Sequence, residues 1–449
     1  SFPSRSEVAS HLGLVLILAL VMFSPLIEGG TTHLAAMILR LLILSAFLAY
    51  VIQTAGAQMV LLPRMVVGIP VVLFLGLVLV STLFSPYPNQ STQWLIICMG
   101  YAGLLYLLAV FLRQWKQWAV LHNVLVVMAL FEAGVVFFQF YVEGASRPSG
   151  TFFNPNYLAG YLAAIFVSVL ASACYSRVWH RRSWATWHIA IHTSLPFIIL
   201  PILAAAIGFS GSRGGALALA AGAAVVIGAR FGRHGLLGLL LLTAMVVLVP
   251  NPIRERALAE HQQNPVTYAR WHMWQGAVQE MVEHPLGVGA GLYQYVYAQN
   301  AVSIDSELVR YGKTAQTAHN EYLQIGVELG VAGLGVFLWG IALLGREAVS
   351  LLRQRLNSKQ RVLSLGACAG IVVILTQAAV DSNLREPAIA ILLVCCAGMV
   401  SFGRAHGRDT GHLGHRSVML QSPGLWATVG VIGVMVLGLH VVCLLYTSD

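Results

Sequence analysis

Runs of apolar residues about as long as a helix needs to cross roughly 30 Å of hydrocarbon recur along the whole chain. They lie near 12–27, 34–54, 64–84, 92–112, 117–141, 157–176, 187–209, 213–229, 234–249, 319–345, 361–380, 387–403 and 424–446. The runs are continuous and do not alternate with polar residues, which predicts helices and not barrel strands. Of the 449 residues 58% are hydrophobic and 10% charged, whereas soluble domains carry about a quarter charged residues. The expected fold is an all-α polytopic membrane protein with about 12 transmembrane helices, or 13 if 424–446 is a full span. Three parts follow: 1–249 with helices one to nine, a long loop at 250–318 containing helices, and 319–449 with the C-terminal helices. The first run lacks a small-x-small cleavage site and is followed by another span, so it reads as an uncleaved helix.

The formal charge of +9 falls mainly in short loops. Arg113 with Lys116, Arg177 with Arg181 and Arg182, Arg230 with Arg233, Arg346 to Arg361, and Arg404 to Arg416 all share one side when the spans alternate. Basic loops are retained in the cytoplasm, so the N-terminus is expected there. The same distribution argues for membrane lipids and against nucleic acid as a partner. Cys98, Cys174, Cys368, Cys395, Cys396 and Cys443 lie inside apolar runs and read as packing residues. No His-Glu-x-x-His, Asp-x-Asp, Walker loop or Cys/His metal spacing occurs on the other side, so no metal or cofactor is expected.

Polar and unusual residues gather opposite the basic loops. Thr317 to Gln324 opens a span, and Thr317 as N-cap would put His319 in the first helical turn. The positive helix end disfavours imidazolium, leaving a neutral ring able to take a proton from a hydroxyl. The alternative is a histidine that only hydrogen-bonds a neighbouring loop. Phe209 to Gly215 carries Arg213 before two glycines, a pattern suited to a diphosphate or to a tight turn reaching lipid headgroups. Arg147 to Asn156 is a rigid turn with one cation and the amides of Asn154 and Asn156. Val266 to Glu283 reads as a helix with Arg270, Trp274, Ala277 and Met281 on one face. Gly287, Gly289 and Gly291 then read as a flexible turn, and Gly326 with Gly330 as a small-residue packing face. Arg270 and Arg310 complete a set of four arginines on this side, unless Arg270 stacks on Trp271 or Trp274 and Arg310 pairs with Glu307. Glu132, Glu328 and Asp381 are costly charges in or beside spans and call for partners.

Taken in order, Arg147–Asn156 with Tyr157 to Tyr161, Ser212-Arg213-Gly214, His284 to Gly289, and His319 to Leu323 resemble the O-antigen ligase and O-antigen polymerase superfamily. The resemblance implies a metal-independent, membrane-embedded glycosyltransferase of the GT-C type in the bacterial inner membrane, with its site facing the periplasm. The implied donor is an undecaprenyl diphosphate-linked glycan and, in the ligase branch, the acceptor is a hydroxyl of lipid A–core oligosaccharide. Carried over, His319 is the catalytic base and Arg213 and Arg270 bind the donor diphosphate, with Arg147 and Arg310 behind them. Asn154, Asn156, Asn320 and Tyr322 are supporting residues. The single long loop favours a ligase over a polymerase joining lipid-linked repeat units. An anion transporter is the competing class; it would call for polar residues at mid-membrane in several helices, which the sequence lacks.

Overall fold

A computed structural model describes residues 5–57, 59–63, 65–175, 187–248, 266–297, 316–406 and 415–419. In chain order these form α1 (Arg5–Phe23), the short α2 (Leu26–Gly29), α3 (His33–Ala57), β1 (Met59–Pro63), α4 (Gly68–Leu83), α5 (Pro88–Phe111), α6 (Trp115–Tyr141), α7 (Pro155–Cys174), α8 (Trp187–Ser210) and α9 (Arg213–Leu248). There follow α10 (Val266–Glu283), α11 (Tyr293–Tyr297), α12 (Glu321–Leu352), α13 (Ser358–Ala378), a 3-10 turn (Asn383–Arg385), α14 (Pro387–His406) and β2 (His415–Met419). Nine helices among the described residues are long and apolar enough to cross a membrane, and Gly68–Leu83 and Ser194–Ser210 are shorter apolar helices. The protein is an all-α polytopic membrane protein whose one departure, among the described residues, is an antiparallel ribbon pairing Met59 with Met419 through Pro63 with His415. The expected span at 424–446, Cys443, and residues 250–265 and 298–315 of the long loop lie outside the described residues.

The helices at the centre, α7, α13 and α14, are the most buried of the candidate spans. Tyr161, Leu158, Leu162 and Ile165 of α7 pack with Ile374, Val373 and Ala369 of α13 and Ile389 and Leu392 of α14. The two ends of the bundle differ chemically. At one end Arg404 pairs with Glu347 at 3.3 Å, Trp115 packs on Phe402, and Arg230 donates to Cys174 O at 3.1 Å. The opposite end, the site end, gathers the turns expected to carry the chemistry: Thr151 donates to Pro25 O, Ser91 to Ala290 O, and Arg147 to Ser210 O.

Two long helices are broken at glycine. In α9, Gly232 has φ 60 and ψ −148, and Gly235 lies against Ile227 and Phe231. A straight helix would hold 227 and 235 about 12 Å apart, so the chain folds back here, as the separate apolar runs at 213–229 and 234–249 imply. In α12, Gly330 has φ 68 and ψ −171. The break frees backbone groups of α12, and the preceding loop takes them up: Val288 N and Gly289 N donate to Val327 O and Glu328 O, and Val331 N donates to Pro285 O, at 2.9, 3.0 and 3.0 Å. Irregular backbone at membrane depth needs this kind of cover by protein. Gly330 is therefore a hinge in the backbone and not part of a small-residue packing face, and Gly287 and Gly289 form a bonded loop and not a loose turn. The stretch 331–352 alone, at about 1.5 Å per residue, crosses the hydrocarbon.

Gly330→Ala tests this. The added Cβ meets Pro285 O and Leu286 C of a backbone that cannot move aside, in a conformation that costs a residue with a side chain about 1–3 kcal/mol. A lower thermal midpoint of the purified protein is expected; an unchanged midpoint would show that the break is dispensable.

Candidate active site

Asp381, in the turn between α13 and α14, is the centre of the site. It is 3% exposed and both its oxygens are engaged. Oδ1 accepts from Ser382 N at 3.0 Å and pairs with His319 Nδ1 at 2.9 Å. Oδ2 accepts from Asn156 Nδ2 at 3.0 Å and lies 3.8 Å from Arg270 Nη2. Burial works to raise the Asp381 pKa, but the hydrogen bond from His319, the Arg270 guanidinium and the Ser382 N–H outweigh it and hold the carboxyl below its usual value. An ionised carboxylate only accepts, so His319 Nδ1 carries the hydrogen between them, and Nε2 has no partner among the described residues.

The backbone aims the histidine. Asn320, not Thr317, caps α12: its Oδ1 accepts from Leu323 N at 3.1 Å. His319 therefore precedes the helix and does not sit in its first turn. It adopts φ 48, a left-handed conformation rare for a residue with a side chain. Such strain persists only where neighbours over-determine it. Here Ala318 N donates to Gln324 Oε1 at 3.0 Å, Trp274 Nε1 donates to Ala318 O at 3.0 Å, and Asn320 Nδ2 donates to Ala379 O at 2.9 Å. Tyr322 OH donates to Leu375 O at 3.0 Å and ties the first turn of α12 to α13.

His319, Asn156 and Arg270 meet at Asp381, and Arg270 Nη1 also donates to Val380 O at 3.2 Å. Arg213 opens α9 beside Gly214, whose Cβ position is 3.2 Å from Val380 Cγ2; its side chain is exposed. Arg147 bridges, donating from Nε to Ser210 O and from Nη2 to Asn156 Oδ1, each at 3.2 Å. Asn154 and Asn320 are caps: Asn154 Oδ1 accepts from Asn156 N at 2.9 Å at the start of α7. Arg310 lies outside the described residues. Sequence reasoning passed over Gln377, whose Nε2 donates to Asn156 O at 2.6 Å, and Arg385. Asp381 stood out only as a costly charge.

Arg385 anchors a second buried cluster. Its Nη2 donates to Glu328 Oε2 at 2.9 Å, its Nε lies 3.7 Å from Glu321 Oε2, and its guanidinium stacks 4.1 Å above Trp94. Glu328 thus has its partners, with Gln324 Nε2 and Gly291 N donating to it as well. Glu132 is met by the Thr151 N–H at 2.9 Å and by the Thr151 hydroxyl. One group of carboxylates and imidazole among the described residues, Glu280, Glu283 and His284, is close enough to share an ion; spacing of i, i+3 and i+4 on one helix explains it without one.

Glu386 lies against Gly29 of the left-handed turn at α2. Burial, with the Glu28 carboxylate adding to it, pushes Glu386 up to about 8. A carboxyl whose folded value exceeds its unfolded value favours folding below the unfolded value, and that contribution is lost as pH rises through the folded one. The thermal midpoint should therefore fall between about pH 4.5 and pH 8, and Glu386→Gln should flatten the fall. Equal slopes for the two proteins would remove Glu386 as its source.

Residues 197–338 match the family model described as O-antigen ligase. This match over about a third of the chain supports a superfamily assignment, to the O-antigen ligases and polymerases. No curated protein matches the chain. The matched segment holds Arg213, Arg270 and His319, whereas Asp381, Asn156 and Arg147 lie outside it and are brought in by the fold. The superfamily assignment supports O-antigen ligase- or polymerase-type function, that of a membrane glycosyltransferase-like enzyme working on lipid-linked glycan and a lipid acceptor.

Proposed function

We propose that this protein is an O-antigen ligase, transferring glycan from undecaprenyl diphosphate to a hydroxyl of lipid A–core oligosaccharide at the periplasmic face of the bacterial inner membrane. The observation that carries the reading is the 2.9 Å pair between His319 Nδ1 and the buried Asp381 carboxylate. It leaves Nε2 to accept a proton and gives the resulting imidazolium an adjacent anion. The acceptor oxygen attacks the anomeric carbon as its proton passes to Nε2, and the C–O bond to the diphosphate breaks with its electron pair going to the leaving oxygen. A single displacement inverts the anomeric carbon. Arg213 and Arg270 stabilise the charge that grows on the diphosphate, a role that fixed guanidinium groups fill without a metal. Arg147, bonded to Ser210 O and Asn156, holds the Arg213 turn beside Asp381; Arg310 is a further donor ligand.

The choice of ligase over polymerase rests on the single long loop at 250–318. A deletion strain tests it. Accumulated lipid-linked polymer with bare core is the expected outcome, core bearing one repeat unit indicates a polymerase, and unaltered lipopolysaccharide rejects both. Purified protein should transfer lipid-linked glycan to lipid A–core, while uptake of labelled anion into vesicles without transfer would reject the enzyme.

A further inference from the structure

Helix α10 has two opposed faces. One is turned inward: Ala277 is buried, Trp274 bonds Ala318 O, and Met281 lies against Gly326. The other presents Trp271, Val278 and Val282, which are 58%, 50% and 75% exposed. Steps of seven and four residues place these three within one narrow stripe of a helix. Leu286, just beyond the helix, is 90% exposed and extends the stripe.

Three contacts give the level of this stripe. Ala290 N donates to Ser81 Oγ and Ser91 Oγ donates to Ala290 O, both at 2.8 Å, which ties the loop after α10 to the adjoining ends of α4 and α5. Val331 N donates to Pro285 O at 3.0 Å, which sets Leu286 beside the residue where the spanning part of α12 begins. Val331 is itself 60% exposed on a helix that crosses the membrane. The stripe is thus continuous with the lipid-facing side of α12, at the depth where the spanning helices end.

We propose that the Trp271–Val278–Val282–Leu286 stripe is a membrane contact, with α10 lying in the interfacial layer and these side chains inserted into the lipid surface at the site end. Contact with lipid removes from water four large apolar groups that the described residues leave uncovered. It also places an indole at headgroup level, where tryptophan is favoured. The contact has a consequence for the site, because Trp271 adjoins Arg270 on the same helix: the lipid surface fixes the attitude from which Arg270 reaches Asp381 and Val380. The surface assignment itself does not depend on which reaction the site catalyses.

Tryptophan emission of the full chain in vesicles of phosphatidylethanolamine and phosphatidylglycerol provides the test, with the Trp271 signal taken as the difference between wild type and Trp271→Phe. The expected result is loss of that signal when the lipids are brominated near the top of their acyl chains, and little loss with aqueous iodide. Val282→Trp provides a second reporter, with the added emission expected to behave in the same way. Quenching by iodide and not by brominated lipid would put the stripe in water and overturn the proposal. Shielding from both would mean that protein covers it, either another part of this chain or a second copy, and would overturn it equally.

Discussion

Replacing His319 with alanine is expected to lower glycan transfer by about a thousandfold, within the range that a positioned general base contributes, while leaving the protein in the membrane at normal level. The ring is only half-buried, and its backbone conformation is held by the bonds at Ala318 and Asn320, not by the imidazole. Removing the ring should therefore cost chemistry more than fold. Transfer assays on purified protein, with donor binding measured in parallel, separate the two. Wild-type lipopolysaccharide from a strain carrying only His319→Ala would dismiss the histidine as base.

Asp381→Asn should be nearly as damaging, although it changes a single atom. The carboxylate accepts the Nδ1 hydrogen and so leaves Nε2 free. An amide nitrogen in the same place donates to Nδ1 and moves the hydrogen to Nε2, where it blocks proton uptake. A comparable exchange in a histidine-carboxylate pair lowers turnover by about ten-thousandfold. The substitution also removes the anion beside Arg270 and the acceptor of Ser382 N. Stability supplies a separate reading. A carboxyl held below its usual value stabilises the fold above the unfolded pKa, and that contribution is lost as pH falls through the lower folded value. Wild type should accordingly lose stability toward acid more steeply than Asp381→Asn. An Asp381→Asn enzyme with full turnover would show that the pair serves only to hold the turn.

Much of the architecture was legible before any coordinates. Hydrocarbon thickness imposes a length on every crossing helix, so apolar runs mark α1, α3 to α9, α13 and α14 with little regard for tertiary detail. The break in α9 was readable too, because a Gly232 flanked by Arg230 and Arg233 interrupts the run. The start of α12 was misread by three residues, since Thr317 and Asn320 are both good caps and only the packing of Asn320 against Ala379 selects between them. The fold of the loop before it was also hidden. Its glycines look like slack, yet they bring the loop's N–H groups to the carbonyls freed at Gly330.

The site divides in the same manner. His319, Arg213, Arg270 and Asn156 stand out in sequence because polar and strongly basic groups are few in an apolar chain. Their grouping around Asp381 could not be read, as that residue is 62 positions from His319 and 225 from Asn156, and no local pattern spans such separations. Composition and periodicity decided that the chain spans a membrane as helices and which end carries the unusual residues, because lipid penalises unpaired backbone and charge wherever they occur. Which carboxylate orients the imidazole, and which arginines stand beside it, was decided only when α7, α10, α12 and α13 packed together, because those bonds depend on distances between segments far apart along the chain.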